Sequence, residues 1–466
     1  MYFATTLFLI MNHLSLPQKL TEGYLSALLF LLPLYLHNAY FDATEAKVGC
    51  FALLSAVYLL SMAFAELKCP TESEAKPACL PFLLYIALTI LSSLLFIGKP
   101  ALLAPSNRYQ GIFVSGLYAL VFLFCSRHGR FGLRPQLAAL SALSLVSLYA
   151  VLQSFGLDPL RLWEGIRAAD RGRYLSTVGN VNFLGAYFAL LLPLCGGLWC
   201  RERRQWLLPL FALGCWGLLC GSDSGILGAA AGLLFLYGLT AGEEDAHCAF
   251  GLLLALMGLS LFVYGLLLSL CGFLSLSALG KAIASPFVSL PLSALGLWLW
   301  KKGRGARRPW LLPALLCAGT VAVLLLCNLR PALVPASMQG VLVFSAHWGN
   351  DRGAIWLHAL ELYRSFSPLQ KLIGGGSGCL AAYDAANRLF PDAVVDCAHN
   401  EYLQILLTSG ALGLAAYLLA LVAALRQGAK KRPAVAAAVF GCAVQAAVNI
   451  TQCATTPLLV ALLALL

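Results

Sequence analysis

The sequence has little charge for its length. Of its 466 residues, 11% are Asp, Glu, Lys or Arg and 60% are hydrophobic, whereas a soluble domain carries about 25% charged residues. The mean hydropathy is +0.83. This composition excludes a soluble globular enzyme, a disordered protein and a coiled coil. It indicates one polytopic membrane domain, although the length alone would predict about three soluble domains.

The sequence also lacks the cysteine spacing of a zinc site. None of its 16 cysteines belongs to a CxxC pair, so we expect no metal. Most lie inside apolar runs, where cysteine behaves as a small hydrophobe. Cys379 and Cys397 instead share one polar segment, and both a disulfide and two free thiols are open for them.

Nucleic-acid binding is not expected either. The formal net charge is +11, but the basic residues form short clusters between apolar runs instead of covering one face of a domain. Basic cytoplasmic loops of a membrane protein explain this charge better.

Apolar runs of about 20 residues, the length of a transmembrane helix, recur along the chain. They predict an all-α polytopic membrane protein with about 13–14 transmembrane helices. The runs lie near 22–40, 47–65, 80–97, 111–126, 135–154, 179–199, 205–221, 225–241, 248–271, 284–300, 310–328, 401–425, 433–450 and 455–466.

The basic clusters predict the orientation of the spans. With the N-terminus inside, all four clusters fall on the cytoplasmic side, as the positive-inside rule requires. They begin at Arg127, Arg201, Lys301 and Arg426. The expected location is therefore the cytoplasmic (inner) membrane, in contact with membrane lipids.

One integral membrane domain is expected, with three parts: an N-terminal transmembrane region (20–328), a large external loop (329–400) and a C-terminal transmembrane region (401–466). Loops of that length usually carry function. Arg352, Trp356, Ala359 and Tyr363 follow a helical spacing, which predicts an amphipathic helix from Asp351 to Phe366. A helix lying on the membrane surface fits the same pattern.

The polar residues gather at the predicted outer ends of the spans. The spans themselves are nearly free of charge, which argues against an ion-coupled pump. Arginine forms bidentate pairs with phosphate, so an outer arginine set predicts an anionic headgroup such as a lipid-linked phosphate or pyrophosphate. Solvated or phospholipid-bound loop arginines are the alternative. The outer set is Arg108, Arg161, Arg167, Arg171, Arg173, Arg330, Arg352, Arg364 and Arg388, with His347 and His399.

Two spans begin with polar residues on this outer side. One starts at Asn180 and the other at His399-Asn400. Free N–H groups and the positive dipole end at such a helix start favour anions. An N-cap is the alternative role for Asn180.

At these positions the sequence resembles the O-antigen ligase superfamily. His399-Asn400-Glu401, running through Gly410, resembles a signature in which a His is followed by ten residues and then Gly. Gly179-Asn180-Val181-Asn182 resembles the upstream Gly-Asn-Pro-Asn motif. Arg352 with Trp356, followed by the glycine run 374–378, resembles the large-loop pattern. The resemblance covers about residues 20–450.

The resemblance implies a GT-C-like membrane glycosyltransferase that works without metal or cofactor. It would move a glycan from an undecaprenyl-pyrophosphate donor to an acceptor glycan, lipid or protein on the external face. His399 would act on the acceptor hydroxyl, since an imidazole of ordinary pKa near 6.5 accepts a proton at neutral pH. Arg352 would hold the pyrophosphate. Asn180, Asn182, Trp356, Glu401 and Gly410 would be motif or structural residues.

The chain departs from the superfamily at one motif. Where a Ser-Arg-Gly sequence is usual, it has Ser222-Asp223-Ser224-Gly225. Arg171 or Arg173 would then supply the missing donor-binding arginine. The glycine run lacks the Lys-Ser/Thr of a nucleotide loop and is expected to be a flexible turn.

Several functions stay open from the sequence. The chain could be a ligase or an O-antigen or capsular-type polysaccharide polymerase of the same superfamily. A lipid-linked saccharide transporter and a non-catalytic scaffold of the cell envelope are the alternatives from other classes.

Overall fold

The computed structural model describes residues 14–68, 76–102, 108–387, 395–450 and 452–466. These residues form an all-α fold, as predicted, with one short antiparallel hairpin between β1 (Tyr174–Leu175) and β2 (Gly179–Asn180). The α-helices are α1 (Leu16–Leu34), α2 (Ala43–Lys68), α3 (Cys79–Phe96), α4 (Ile112–His128), α5 (Leu133–Ser154), α6 (Val181–Glu202), α7 (Leu207–Cys220), α8 (Asp223–Thr240), α9 (Glu244–Cys271), α10 (Ala278–Ala284), α11 (Pro286–Lys302), α12 (Leu311–Leu329), α13 (Ala336–Leu342), α14 (Trp348–Ser365), α15 (Pro368–Ile373), α16 (Cys379–Asn387), α17 (Glu401–Lys431), α18 (Pro433–Gln445) and α19 (Thr456–Leu465).

The long apolar helices confirm a multi-pass membrane protein. Within the described residues, eight helices are long and apolar enough to cross a membrane, and the pair α10–α11, bent by 54°, adds a ninth if it forms one span. Every predicted apolar run overlaps a helix. Four of these helices, α4, α7, α18 and α19, are shorter than a full span. The count of 13–14 spans therefore stays a prediction.

The first helix begins earlier than the apolar run near 22–40 predicts. Ser15 and Gln18 form a capping box, in which each side chain bonds the other residue's backbone N–H. This box starts α1 at Leu16, because it satisfies two N–H groups that the helix leaves free.

Helix α6 lies at the centre of the bundle. Most of its apolar window, 94%, is buried, and it packs against α8 and α18. Glycines allow the close approach: a Cβ on Gly225 of α8 would lie 2.4 Å from Gly185 Cα of α6. Small residues at such crossings are typical of helices that associate within a membrane. The unusual Ser222–Gly225 segment thus sits where two helix backbones touch.

The bundle has two distinct ends. Arg130, Arg201 and Lys431 line one cavity, so three of the basic clusters lie together. The fourth joins them, because a Cβ on Gly305 would meet Gly242, in the turn before α9. We call this the basic end. At the opposite end of α17, Glu401 follows the predicted outer loop, and we call that the site end.

The predicted loop helix is present as α14. Its backbone is left-handed at Gly349, Asn350 and Asp351, so the regular helix begins at Arg352, one residue from the predicted start. Its buried face joins a small core with Leu380 and Leu407. The protein covers this face of the helix, whereas Leu357 and Leu360 on the same helix are exposed, so contact with a membrane surface stays a prediction.

The glycine run docks against a break in α17. Gly410 has φ 69° and interrupts the helical hydrogen bonds. The N–H of Gly375 donates to the Leu407 carbonyl at 2.8 Å, and that of Gly376 donates to the Thr408 carbonyl at 3.1 Å. The expectation of a flexible turn is therefore wrong. The run is a backbone clamp on carbonyls that a broken helix leaves without their usual partners.

Candidate active site

His399 is held at the start of α17 by bonds on both sides of it. Asn400 is the N-cap, and its Oδ1 accepts from the N–H of Leu403 at 3.0 Å. Gln404 Oε1 accepts from the N–H of Ala398 at 2.8 Å. His399 itself has φ 48°, a left-handed conformation that is uncommon outside glycine. Such strain persists only where neighbours enforce it, and it clusters at functional sites.

The half-buried His399 lines a cavity at the site end, which we call the His399 pocket. It brings together three residues that the sequence singled out, His399, Asn180 and Asn182. Its polar lining comprises Tyr40, Thr44, Lys47, Arg108, Tyr174, Asn180, Asn182, Asp396, His399, Asn449 and Gln452.

The start of α6 forms one wall of this pocket. Asn180 is the N-cap, as one of the two interpretations expected, and its Oδ1 accepts from the N–H of Asn182 at 2.8 Å. The carbonyl of Asn182 accepts from Asn449 Nδ2 at 3.1 Å. The short hairpin pairs Tyr174 with Asn180, which brings Tyr174 to the same wall. The motif therefore shapes the pocket, and the helix start points its positive end towards it.

An ion pair closes the other side of the pocket. Nε of Arg108 donates to both carboxylate oxygens of Asp396, at 2.9 and 2.8 Å. Arg108 precedes α4, whereas Asp396 stands three residues before His399. Sequence reasoning named Arg108 only as one outer arginine and did not select Asp396. The available signal was a carboxylate three residues before the histidine motif.

The electrostatics of the pocket favour a neutral histidine and a bound anion. Burial, and after it the nearby positive charges of Arg108 and Arg352, lowers the pKa of His399 to about 4, whereas Asp396 opposes this shift. The ordinary pKa of 6.5 is the value expected from the sequence alone, and the folded environment lowers it. Because two guanidinium groups act on the pocket and Asp396 supplies one compensating charge, the local potential is positive.

Arg352 has a different environment from Arg108. It is half-buried at the start of the regular part of α14, and burial lowers its pKa. Within the described ranges it forms no ion pair. A partly desolvated guanidinium without a carboxylate partner is well suited to bind an anionic ligand.

The other predicted arginines lie elsewhere. The Arg171 guanidinium sits over the Trp163 ring, 5.7 Å from its centroid. Arg173 is 3.3 Å from an Asp170 carboxylate oxygen and is largely exposed. Neither lines the His399 pocket, so their donor-binding role stays a prediction. Arg388 lies outside the described residues.

Trp356 belongs to an aromatic cluster on α14. Its ring centroid is 5.1 Å from that of Trp348 and 6.2 Å from that of Phe344. Its Nε1 is buried with no partner among the described residues. The structure thus places Trp356 in the packing of the loop 329–400, one turn along the helix from Arg352.

A second cavity adjoins the His399 pocket, and we call it the Glu401 cavity. Glu401 is buried there in the first turn of α17. The two cavities share Arg108, Asp396 and Gln452 as lining residues. Both polar atoms of the Gln452 side chain are buried without a partner in the described part of the chain. Away from this polar mouth, the Glu401 cavity runs between apolar side chains of α3, α18 and α19.

Cys379 and Cys397 are free thiols in the structure. Cys379 Sγ donates to the Leu407 carbonyl at 3.6 Å, and burial raises the pKa of both thiols to about 12. The disulfide alternative is therefore not realised. Among the residues described, no three His, Cys, Asp or Glu side chains are grouped as metal ligands, and metal independence stays a prediction.

Comparison with known families gives one match, which covers part of this site. Residues 263–418 match the family model described as O-antigen ligase. The match runs from α9 into α17 and contains Arg352, Trp356, His399, Glu401 and Gly410. The match covers 156 of the 466 residues, about a third of the chain, and this part is similar to the O-antigen ligase superfamily. Members of this superfamily are glycan ligases and polymerases. No curated protein and no solved structure matches the chain.

The superfamily match does not extend to every side of the pocket. Arg108 and Asn180 precede the matched residues, as do Arg171 and Arg173. For Arg108 and Asn180, membership of the site rests on the geometry alone.

Proposed function

We propose that this chain is a glycosyltransferase of the O-antigen ligase superfamily and that it works at the external face of the cytoplasmic membrane. It transfers a glycan from an undecaprenyl-pyrophosphate donor to an acceptor glycan, lipid or protein. One observation carries the proposal: a neutral, strained His399 lines a positively charged pocket at the start of two helices. Positive-inside orientation puts this end of the bundle outside.

The arginines bind and stabilise the anionic part of the donor. Arg352 has no carboxylate partner in the described residues, so a pyrophosphate would supply its counter-charge, with bidentate bonds to the guanidinium. Arg108 is already held by Asp396 and therefore contributes charge at a fixed position. Arg171 and Arg173 precede the pocket residue Tyr174, and we assign them contacts with parts of the donor that extend beyond the pocket.

His399 acts as the general base. The acceptor hydroxyl attacks the anomeric carbon of the donor and its proton passes to an imidazole nitrogen. The new bond joins the acceptor oxygen to that carbon, while the bond from the carbon to the pyrophosphate oxygen breaks. The pyrophosphate leaves with the electron pair, and the arginines stabilise its charge. No cofactor or metal takes part in this proposal.

Donor binding makes His399 a stronger base. In the empty pocket Arg108 and Arg352 help to hold its pKa near 4. A pyrophosphate offsets these positive charges, and an opposite charge nearby favours the protonated imidazole. The histidine therefore gains basicity when there is a donor to react with.

The adjoining cavities suit a reaction of two substrates. They meet at Arg108 and Asp396, beside His399. The apolar interior of the Glu401 cavity fits a lipid chain, and its polar mouth opens towards the base. We assign this cavity to the polyprenyl part of the donor and the His399 pocket to the reacting groups.

Reconstituted transfer tests the proposal. Purified protein in nanodiscs receives a polyprenyl-pyrophosphate-linked glycan and a panel of acceptors, and products are identified by mass spectrometry. We expect transfer by the native chain and a loss of about 10²–10⁴-fold with His399→Asn, because Asn can cap the helix but cannot take the proton. The matched control is His347→Asn, at an exposed histidine of the same loop.

The acceptor panel separates the remaining alternatives. Transfer to a second donor glycan identifies a polymerase, and transfer to a lipid or protein identifies a ligase. Transfer at the native rate by His399→Asn contradicts the proposed role of His399. The transporter alternative is tested in sealed proteoliposomes of the same lipids. Movement of the intact donor across their membrane, without transfer, identifies a transporter and overturns the proposal.

A further inference from the structure

The basic end of the bundle contains a cavity of its own, which we call the basic cavity. It lies between α1, the α4–α5 connection, the end of α6 and the α17–α18 connection. Five basic and two acidic side chains line it. One of the acids, Glu202, is 3.0 Å from Arg204, a residue outside the lining. The five basic residues are Arg130, Arg134, Arg201, Lys431 and Arg432.

This cavity differs from an ordinary basic loop. Arg130, Arg134, Arg201 and Lys431 are exposed, as Arg307 and Arg308 of the same end are, but the first four line one concave site and the last two do not. Arg432 is half-buried; burial and the charges of Arg130 and Arg201 lower its pKa. Its guanidinium also donates to the Leu465 carbonyl, which fixes its direction. Glu22 faces Arg134 and Arg130 and offsets part of this charge. Five basic groups against two carboxylates still leave the concave site positive, and an anion would relieve the remaining repulsion.

We propose that the basic cavity binds a phosphate-bearing anion, separately from the transfer site. Arginine guanidinium groups form bidentate hydrogen bonds with phosphate oxygens. Basic pockets between helices at the cytoplasmic side of membrane proteins bind anionic lipid headgroups. Apolar side chains also line the cavity, among them Phe131, Leu198 and Val435, and would cover the start of an acyl chain. The same chemistry would accept a soluble phosphate.

The site is remote from His399. The 31 residues of α17 separate Glu401 from Lys431, which at 1.5 Å per residue is roughly 45 Å along the helix. An anion in the basic cavity therefore does not contact the proposed donor site, and the two proposals fail independently.

Binding to the intact protein in nanodiscs tests the inference. The lipid arm adds phosphatidylglycerol to phosphatidylcholine nanodiscs and counts retained lipid by native mass spectrometry. The soluble arm titrates inorganic phosphate into phosphatidylcholine nanodiscs and follows the thermal midpoint. The variant Arg130→Gln/Arg201→Gln removes two cavity charges, and Arg307→Gln/Arg308→Gln removes two exposed charges at the same end.

We expect the cavity variant to bind the anion at least about tenfold more weakly and the control variant to bind it as the native chain does. Arg130→Lys/Arg201→Lys keeps the charge and shows whether loss of folding explains the result. A cavity-dependent effect in the lipid arm identifies a headgroup, and one in the soluble arm alone identifies a free phosphate. Equal binding by the cavity and control variants in both arms overturns the proposal.

Discussion

The two ends of the bundle both carry excess arginine, yet they differ in how those arginines are held. At the site end, Arg108 is bound by Asp396 and the half-buried Arg352 acts on the same histidine. At the basic end, Arg130 and Arg201 are exposed side chains around a cavity. Burial and a fixed guanidinium orientation, more than the number of charges, decide how strongly an arginine cluster acts on neighbouring groups. The reason is that desolvation strengthens every electrostatic interaction.

The same contrast appears in the backbone. At the site end, His399 is left-handed, α17 breaks at Gly410 and the glycine run binds the freed carbonyls. Towards the basic end α17 continues as regular helix to Lys431. Strain and irregular backbone are concentrated where the chemistry is proposed, as is typical of functional sites.

The largest expected effect concerns the side of the membrane that each end of the bundle faces. In a cysteine-depleted variant, we expect an impermeant maleimide to label Arg364→Cys on α14 in intact cells and to leave Arg307→Cys unlabelled. Both side chains are exposed, so the difference reports the membrane side. Labelling of both after permeabilisation is the control. The reverse pattern in intact cells would place the site end inside.

The next largest effect is expected at Arg352. The planar guanidinium group forms bidentate bonds with pyrophosphate that an ammonium group cannot form. Arg352→Lys should therefore reduce glycan transfer almost as much as Arg352→Ala. We expect both to reduce transfer by about 10²-fold, equal to about 3 kcal/mol of transition-state stabilisation. The assay is glycan transfer with saturating acceptor.

A matched substitution on the same helix completes this test. Arg364 is exposed, and Arg364→Ala should leave the rate within about twofold of the native chain. Full activity of Arg352→Lys would show that any positive charge suffices, and Arg352 would then be a simple surface cation.

A smaller effect is expected on stability at Gly410. A Cβ there would lie 2.2 Å from the Leu372 carbonyl oxygen, and φ is +69°. Gly410→Ala should destabilise the loop by about 1–3 kcal/mol, the cost of strained backbone, and lower the thermal midpoint. Gly319→Ala in α12 has open space around its Cβ and serves as control. Equal midpoints for the two variants would contradict the proposed clamp.

Parts of this site could be predicted from the sequence, because they depend on neighbours along the chain. The end of a polar segment before an apolar run placed His399 at a helix start, and helical spacing predicted α14. The pairing of Arg108 with Asp396 could not be predicted, since 288 residues separate them and only folding brings them together. Arg171 and Arg173 were chosen for nearness in sequence to Asn180, but local partners hold both away from the pocket.

Two further features depended on three-dimensional burial. The glycine run looked like a flexible turn because its partners, the carbonyls of Leu407 and Thr408, become free only when α17 breaks. The pKa of His399 depends on burial and on Arg108 and Arg352, which belong to different segments. Sequence patterns predict elements well here, whereas contacts between distant segments set the chemistry.

The smallest expected effect is on the pH dependence of transfer, which separates a desolvated site end from a solvated one. With a pKa near 4, His399 keeps its neutral form from pH 8 down to about 5, so kcat/KM at low donor concentration should stay flat there. With the ordinary pKa of 6.5, the neutral fraction of His399 at pH 6 would be about fourfold lower than at high pH.

The stability of the protein should change with pH in the same direction. Folding disfavours the protonated imidazole, so the free energy of unfolding falls as the pH decreases from 6.5 towards 4. The measurement is the initial transfer rate against pH, made separately on the native chain and on His347→Asn. Coincident profiles show that this exposed histidine does not contribute. A fall in kcat/KM centred near pH 6.5 would show that His399 is solvated and that the guanidinium groups of Arg108 and Arg352 do not act on it.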